Sequence, residues 1–172
     1  TEIYVDGVMT GSYGSPTTIY PAIQLSECNA NLSNLALSDT AATAIYASGG
    51  TVNMNTITIT RPGAEGLAIA SAVNLDGSGS DLRVDIDGLT VTEQGSGAAI
   101  TIEGPSFEGM YSSTLSGTDI VLNGSNGYGV ESLYADTSLS GISLSGSANA
   151  GLYAVGGSLT VDDGVVAGSD AQ

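Results

Sequence analysis

Hydrophobic and polar positions alternate along this chain in short bursts. An apolar–x–apolar unit recurs at Leu35-Ala36-Leu37, Ile57-Thr58-Ile59, Leu89-Thr90-Val91, Ile120-Val121-Leu122 and Ile142-Ser143-Leu144. Ten residues after the first member of each stands another small or apolar residue: Ile45, Leu67, Ala99, Val130 and Leu152. Just before it comes a small one: Ala44, Gly66, Ala98, Gly129 or Gly151. Val8 and Val165 open two partial copies. The period of two is that of a strand, not a helix.

The copies start 27, 22, 32, 31, 22 and 23 residues apart, counted from Val8 through Val165. Steps of this size between short strands mean a solenoid, a propeller or an array. A propeller blade needs about 40 residues, and leucine-rich repeats need a stricter framework. A coil that keeps its strands constant and lets its turns vary fits the irregular steps. A further strand completes each rung, carried by Val52/Met54, Leu82/Val84/Ile86, Leu115, Leu139 and Leu159/Val161. Neighbouring rungs then stack about 4.8 Å apart. Their inward side chains form columns, such as Leu35, Ile57, Leu89, Ile120 and Ile142. Glycine before the first strand (Gly7, Gly88, Gly141, Gly164) permits a tight corner.

One consequence is an echo. The segment NLSNLALSDTAATAIYASGG from Asn31 matches SLSGISLSGSANAGLYAVGG from Ser138, at an offset of 107 residues. Each rung must match its neighbours to bury its own face, so distant rungs with equal turns converge on the same wording. The expected fold is all-β: a right-handed parallel β-helix, or solenoid, of about six to seven rungs with three short strands each. Residues 1–172 would be one domain, read as a segment of a longer chain.

Composition narrows the partners. The net charge is −16 although only 12% of residues are charged, because Arg61 and Arg83 are the only cations. Phosphate binding relies on clusters of Lys and Arg, so nucleic acid is excluded as a partner. Anionic membrane surfaces are disfavoured for the same reason. No stretch approaches the roughly 18 apolar residues of a membrane span, so no membrane insertion is expected. Cys28 is the single cysteine and has no cationic neighbours in sequence, so it reads as a small buried hydrophobe.

The Gly/Ser/Thr/Asn-rich rungs, the LxL strands and the phrase AGLYAVGG resemble right-handed parallel β-helices of the autotransporter-passenger and surface-adhesin type, with pectin-lyase-like architecture. The likeness spans essentially the whole chain and is one of style and period. It implies an extracellular, cell-surface rod or filament segment. Such a segment presents loops for adhesion or self-association, end to end or lateral, and contacts glycans or other surface proteins. Handedness follows from the resemblance and from the general rule for parallel crossovers.

The same architecture serves polysaccharide lyases and hydrolases, which makes a carbohydrate-active or carbohydrate-binding protein the alternative. This chain has no His and no Lys, which removes most acid–base chemistry, so an enzyme is not expected. The best constellation is DLRVDID. Alternation turns Leu82, Val84 and Ile86 inward and puts Asp81, Arg83, Asp85 and Asp87 on one outward face, about 6.8 Å apart. With Asp76 of the turn DGSGSD, these carboxylates are weak candidates for Ca²⁺. No other cofactor is indicated. The simpler reading is a solvated face on which Arg83 offsets like charges. The loop EGPSFEGMYSS carries Phe107, Met110 and Tyr111, an aromatic–Met cluster suited to partner contact, since functional loops project from rigid scaffolds.

Overall fold

A computed structural model describes residues 2–10, 21–70, 72–73, 79–105 and 112–168. The chain forms fifteen strands: β1 (Glu2–Thr10), β2 (Ile23–Ser38), β3 (Ile45–Thr60), β4 (Leu67–Ala70), β5 (Ala72–Val73), β6 (Gly79–Ser80), β7 (Leu82–Thr92), β8 (Ile100–Glu103), β9 (Ser113–Asn123), β10 (Val130–Leu133), β11 (Asp136–Ser140), β12 (Ser143–Ser145), β13 (Leu152–Val155), β14 (Ser158–Asp162) and β15 (Val165–Ala167). No helix occurs among the described residues. Thirteen strands join one strongly curled sheet in which all the pairings are parallel, and β5 and β6 form a small antiparallel pair beside it. The architecture is solenoid-like.

The registers show why the sequence repeats. One ladder runs Ile45–Leu67–Ile100–Val130–Leu152. A second runs Leu32–Met54–Ile86–Gly117–Leu139–Val161. A third runs Leu35–Ile57–Leu89–Ile120, with Ile142 one residue before the Val121–Ser143 pair. These columns, with Leu37, Ile59, Val91, Leu122 and Leu144, form one continuous buried core. Cys28 is buried at its edge. The thin core needs no bulky aromatics because each rung is capped above and below by the next.

Three sequence readings shift by one residue. The ladder partner of Leu67 is Ile100, not Ala99. Ala99 instead takes the small-residue place of Gly66, accepting the amide N–H of Leu67 at 3.0 Å. The turn Glu93–Ala99 holds one residue more than the turn Arg61–Gly66. At the ends, Val8 pairs with Ala36 and Val165 with Ser143, so Gly7 and Gly164, not the valines, stand at the places of Leu35 and Ile142. Gly7 and Gly164 are therefore not the corner residues. Smallness before the first ladder has a steric cause: a Cβ on Gly66 would lie 2.7 Å from the Val91 side chain, and one on Gly151 2.6 Å from Val166.

The corners form columns of their own. Asn34, Thr56, Gly88, Asp119, Gly141 and Asp163 all have φ between 50° and 83°. So do Asp39, Arg61, Glu93, Gly124, Gly146 and Gly168, between 51° and 74°. One left-handed residue turns the chain at each place in these two columns, whereas Gly49-Gly50 and Gly156-Gly157 turn it with two. Asn and Asp tolerate this conformation by local hydrogen bonding, whereas a β-branched Thr pays a steric cost of roughly 1–2 kcal/mol.

Candidate functional site

The outward face of the second ladder is almost wholly polar. Its rows read Asn29, Asn31, Ser33; then Thr51, Asn53, Asn55; then Arg83, Asp85, Asp87; then Thr114, Ser116, Thr118; then Asp136, Ser138, Ser140; then Ser158, Thr160, Asp162. The alternation that buries Leu82, Val84 and Ile86 sends these side chains out, as the sequence predicts for Asp81, Arg83, Asp85 and Asp87.

Protein partners hold these groups. Arg83 donates through Nε and Nη2 to the two oxygens of Asp85, at 2.7 and 3.0 Å. The Asp85 carboxylate holds the Arg83 guanidinium above its ordinary value, by hydrogen bond first and charge second. Asp87 accepts from Asn55 Nδ2 at 3.0 Å and from Thr118 Oγ1 at 3.3 Å. Asp81 Oδ1 accepts the backbone N–H of Ser112 at 2.6 Å. Asn53 donates to Asn31 Oδ1 at 2.9 Å, one step of an amide ladder along the rungs. Among the described residues no three His, Cys, Asp or Glu side chains converge as a metal site. Asp76 lies outside the described residues.

Two grooves flank the Arg83–Asp85 pair. One, of about 260 Å³, runs over Thr114, Ser116, Asp136, Ser138, Ser158 and Thr160. The other, of about 340 Å³, runs over Asn31, Asn53, Asn55, Asp87 and Ser116. Asp85 borders both.

Both long steps add their residues at one place. The chain leaves the sheet after Ala70 and re-enters at Leu82; one rung on, it leaves after Glu103 and re-enters at Ser113. The feet of the two insertions are tied by the Ser112–Asp81 bond. Phe107, Met110 and Tyr111 lie outside the described residues.

Other groups escape a reading of single segments. Arg61 bridges Asp39 at 2.6 Å and Glu93 at 3.8 Å, three consecutive members of a left-handed corner column. The Arg61 hydrogen bond is the main cause that holds the Asp39 carboxyl below its usual range. Tyr128 and Tyr153 stack with centroids 4.6 Å apart. Beside Tyr153 in register, Glu131 has its carboxyl pushed up, by burial first and then by Glu65 and Glu103. Tyr134 turns a corner at φ 53° and is 48% exposed. Reading the outward positions of every rung as rows would have found the Asn ladder; nothing in the sequence marks Tyr134 as a corner.

No family model matches the chain, and no curated protein or solved structure does. The curled parallel sheet is compatible with a β-helix-like solenoid, and no comparison supports a surface-adhesin type.

Proposed function

We propose that the chain is an extracellular, non-enzymatic rod segment, closed as a right-handed parallel β-helix of about six to seven rungs with three short strands each. Copies stack end to end into a filament or adhesive stalk of the autotransporter-passenger type. One observation carries this reading: Val166 continues the column of Leu37, Ile59, Val91, Leu122 and Leu144, yet is 52% exposed. Its neighbour Val165, 63% exposed, belongs to the outward column of Val121 and Ser143. Among the described residues no strand pairs with the outer edges of β13, β14 and β15. Free edges with unpaired N–H and C=O groups recruit another strand. Strand β1 supports the same reading, since it continues the register of β2 and has one edge unpaired among the described residues.

The test is sedimentation velocity with electron microscopy over rising concentration. Linear assemblies are expected by roughly 100 μM and should strengthen with salt, because the chain's charge of −16 opposes its own association. The double variant Val165→Asp, Val166→Asp should stay monomeric with an unchanged circular dichroism spectrum. A wild-type protein that remains a dispersed monomer at that concentration and high salt sinks the proposal.

A further inference from the structure

We propose that Tyr128 and Tyr153 are an oxidative cross-linking site, at which a one-electron oxidant joins the two rings as dityrosine and fastens the terminal rung to its neighbour. The link lies within one chain, so it is independent of axial stacking.

Three observations converge. First, the two phenols are already paired. Tyr128 precedes β10 and Tyr153 lies in β13, on adjacent rungs. Their rings stack with centroids 4.6 Å apart and planes 15° from parallel. Stacked rings attract at this range, so the contact persists without a bond. Radical coupling needs two phenoxyl rings to meet before either is quenched, and the rungs hold these two together in advance.

Second, the pair is reachable and has few rivals. Tyr153 is 37% exposed and Tyr128 is half-buried, so an oxidant in solution meets the outer ring. The chain has no Trp, and its one thiol, Cys28, is buried on β2. Tyrosine is then the readiest one-electron donor at the surface. Tyr134 is more exposed than Tyr153, yet no ring stacks on it among the described residues.

Third, the repeated phrase supplies an internal comparison. Tyr46 holds the place of Tyr153 in the first copy. The amide N–H of Ala22 donates to Thr43 O as that of Gly129 donates to Ala150 O, so Pro21 stands where Tyr128 stands. Proline has no phenol, and the first copy lacks the couple. The pair thus occurs at the rung where β13 has β10 on one side and, among the described residues, no strand on the other. A covalent loop from Tyr128 to Tyr153 restrains the rung that its neighbours hold least.

The step balances. Each tyrosine gives up one electron and its phenolic proton. The two radicals join through carbons ortho to the oxygens, and the hydrogen on each joined carbon moves to its oxygen and restores the ring. The pair loses two hydrogen atoms in all, and one hydrogen peroxide, acting through a peroxidase, takes them up as two waters.

The experiment treats the full chain, dispersed at about 1 μM, with a peroxidase and hydrogen peroxide. The product should run as a monomer, show dityrosine fluorescence and weigh two hydrogen atoms less. Cleavage of the denatured product at acidic residues cuts between the two tyrosines, at Glu131 and Asp136. Mass spectrometry should then find the Tyr128 and Tyr153 peptides joined. Tyr128→Phe and Tyr153→Phe keep a ring in place and should each lose the link, whereas Tyr46→Phe and Tyr134→Phe should retain it. In the linked protein the amides of β13 should exchange about tenfold more slowly than in the untreated chain. The proposal fails if the monomer gains no dityrosine, if the link survives Tyr128→Phe or Tyr153→Phe, or if β13 exchanges no more slowly once linked.

Discussion

The two copies of the repeated phrase, Asn31–Gly50 and Ser138–Gly157, occupy equivalent places four rungs apart, yet differ in how much they bury. In the first copy Ile45 and Ala47 are wholly buried; in the second, Leu152 is half-buried and Ala154 exposed. Ile45 and Ala47 are covered on both sides, by β2 and by β4; Leu152 and Ala154, in β13, have β10 on one side and, among the described residues, no strand on the other. A rung's pattern specifies which way each side chain points. How much that orientation stabilises depends on the rung next door, as expected of a quasi-one-dimensional stack.

The corner glycines separate these two effects. A Cβ on Gly50 would stand 2.2 Å from the backbone oxygen of Cys28, and one on Gly157 2.1 Å from that of Ala135. Each clash is with the preceding rung, which both copies possess. Gly50→Ala and Gly157→Ala should therefore destabilise alike, each by at least about 3 kcal/mol from positive φ and overpacking together. Chemical denaturation measures this; a mild Gly157→Ala would mean the last rung has no fixed seat on its neighbour.

Truncating the ladder should break the symmetry. Ile45→Ala removes a fully buried side chain and should cost about 3 kcal/mol. Leu152→Ala, at the same place in the second copy, should cost about 1 kcal/mol, since part of its surface already meets water. These unequal losses are expected for the dispersed protein at about 1 μM; at roughly 100 μM, axial stacking should cover the end rung and bring the two losses closer together in urea unfolding. The difference should then reappear in the Val165→Asp, Val166→Asp background.

Much of this was legible from apolar alternation, because the columns depend on residue type at fixed intervals. The inward column from Leu35 to Ile142 and the outward face of Asp81, Arg83, Asp85 and Asp87 follow directly from period two. The slips have a local cause. Gly7 and Gly164 occupy column places without an apolar side chain to mark them, so the neighbouring valines drew the register. The run Ala98-Ala99-Ile100 hides an extra turn residue among small side chains. The corners were largely opaque. Thr56, Arg61, Glu93 and Tyr134 have no preference for positive φ and adopt it because stacked neighbours impose it. For the site, the shared face was readable, whereas the Asn and Ser/Thr rows that surround it come from rungs 22 to 32 residues away in sequence and emerge only when the rungs are aligned.

Imposed corners predict a reciprocal pair. Thr56 sits at φ 56° in the same corner column as Gly141 of the second copy, at φ 63°. Thr56→Gly should stabilise by about 1 kcal/mol and Gly141→Thr should lose a similar amount, by the cost of a side chain in the left-handed region less the backbone entropy of glycine. Thermal melts of the two variants test it. Destabilisation by Thr56→Gly would show that its hydrogen bond to Asn55 Oδ1, at 3.0 Å, outweighs the backbone strain.

The smallest effect concerns charge beside equivalent tyrosines. Tyr46 pairs in register with the neutral Gln24, whereas Tyr153 pairs with Glu131. Burial, with Glu65 and Glu103 nearby, raises the Glu131 carboxyl above its unfolded value. A raised carboxyl contributes stability while it is protonated, below the unfolded pKa, and that contribution is lost as pH rises through the folded pKa. At about pH 7 the folded protein therefore carries a poorly placed charge, and at about pH 3 it does not. Glu131→Gln, which gives the second copy the neighbour that the first already has, should raise the melting temperature near neutral pH and leave it unchanged in acid. A variant that melts lower at neutral pH would show that the carboxylate holds the Tyr153 stack in place rather than burdening it.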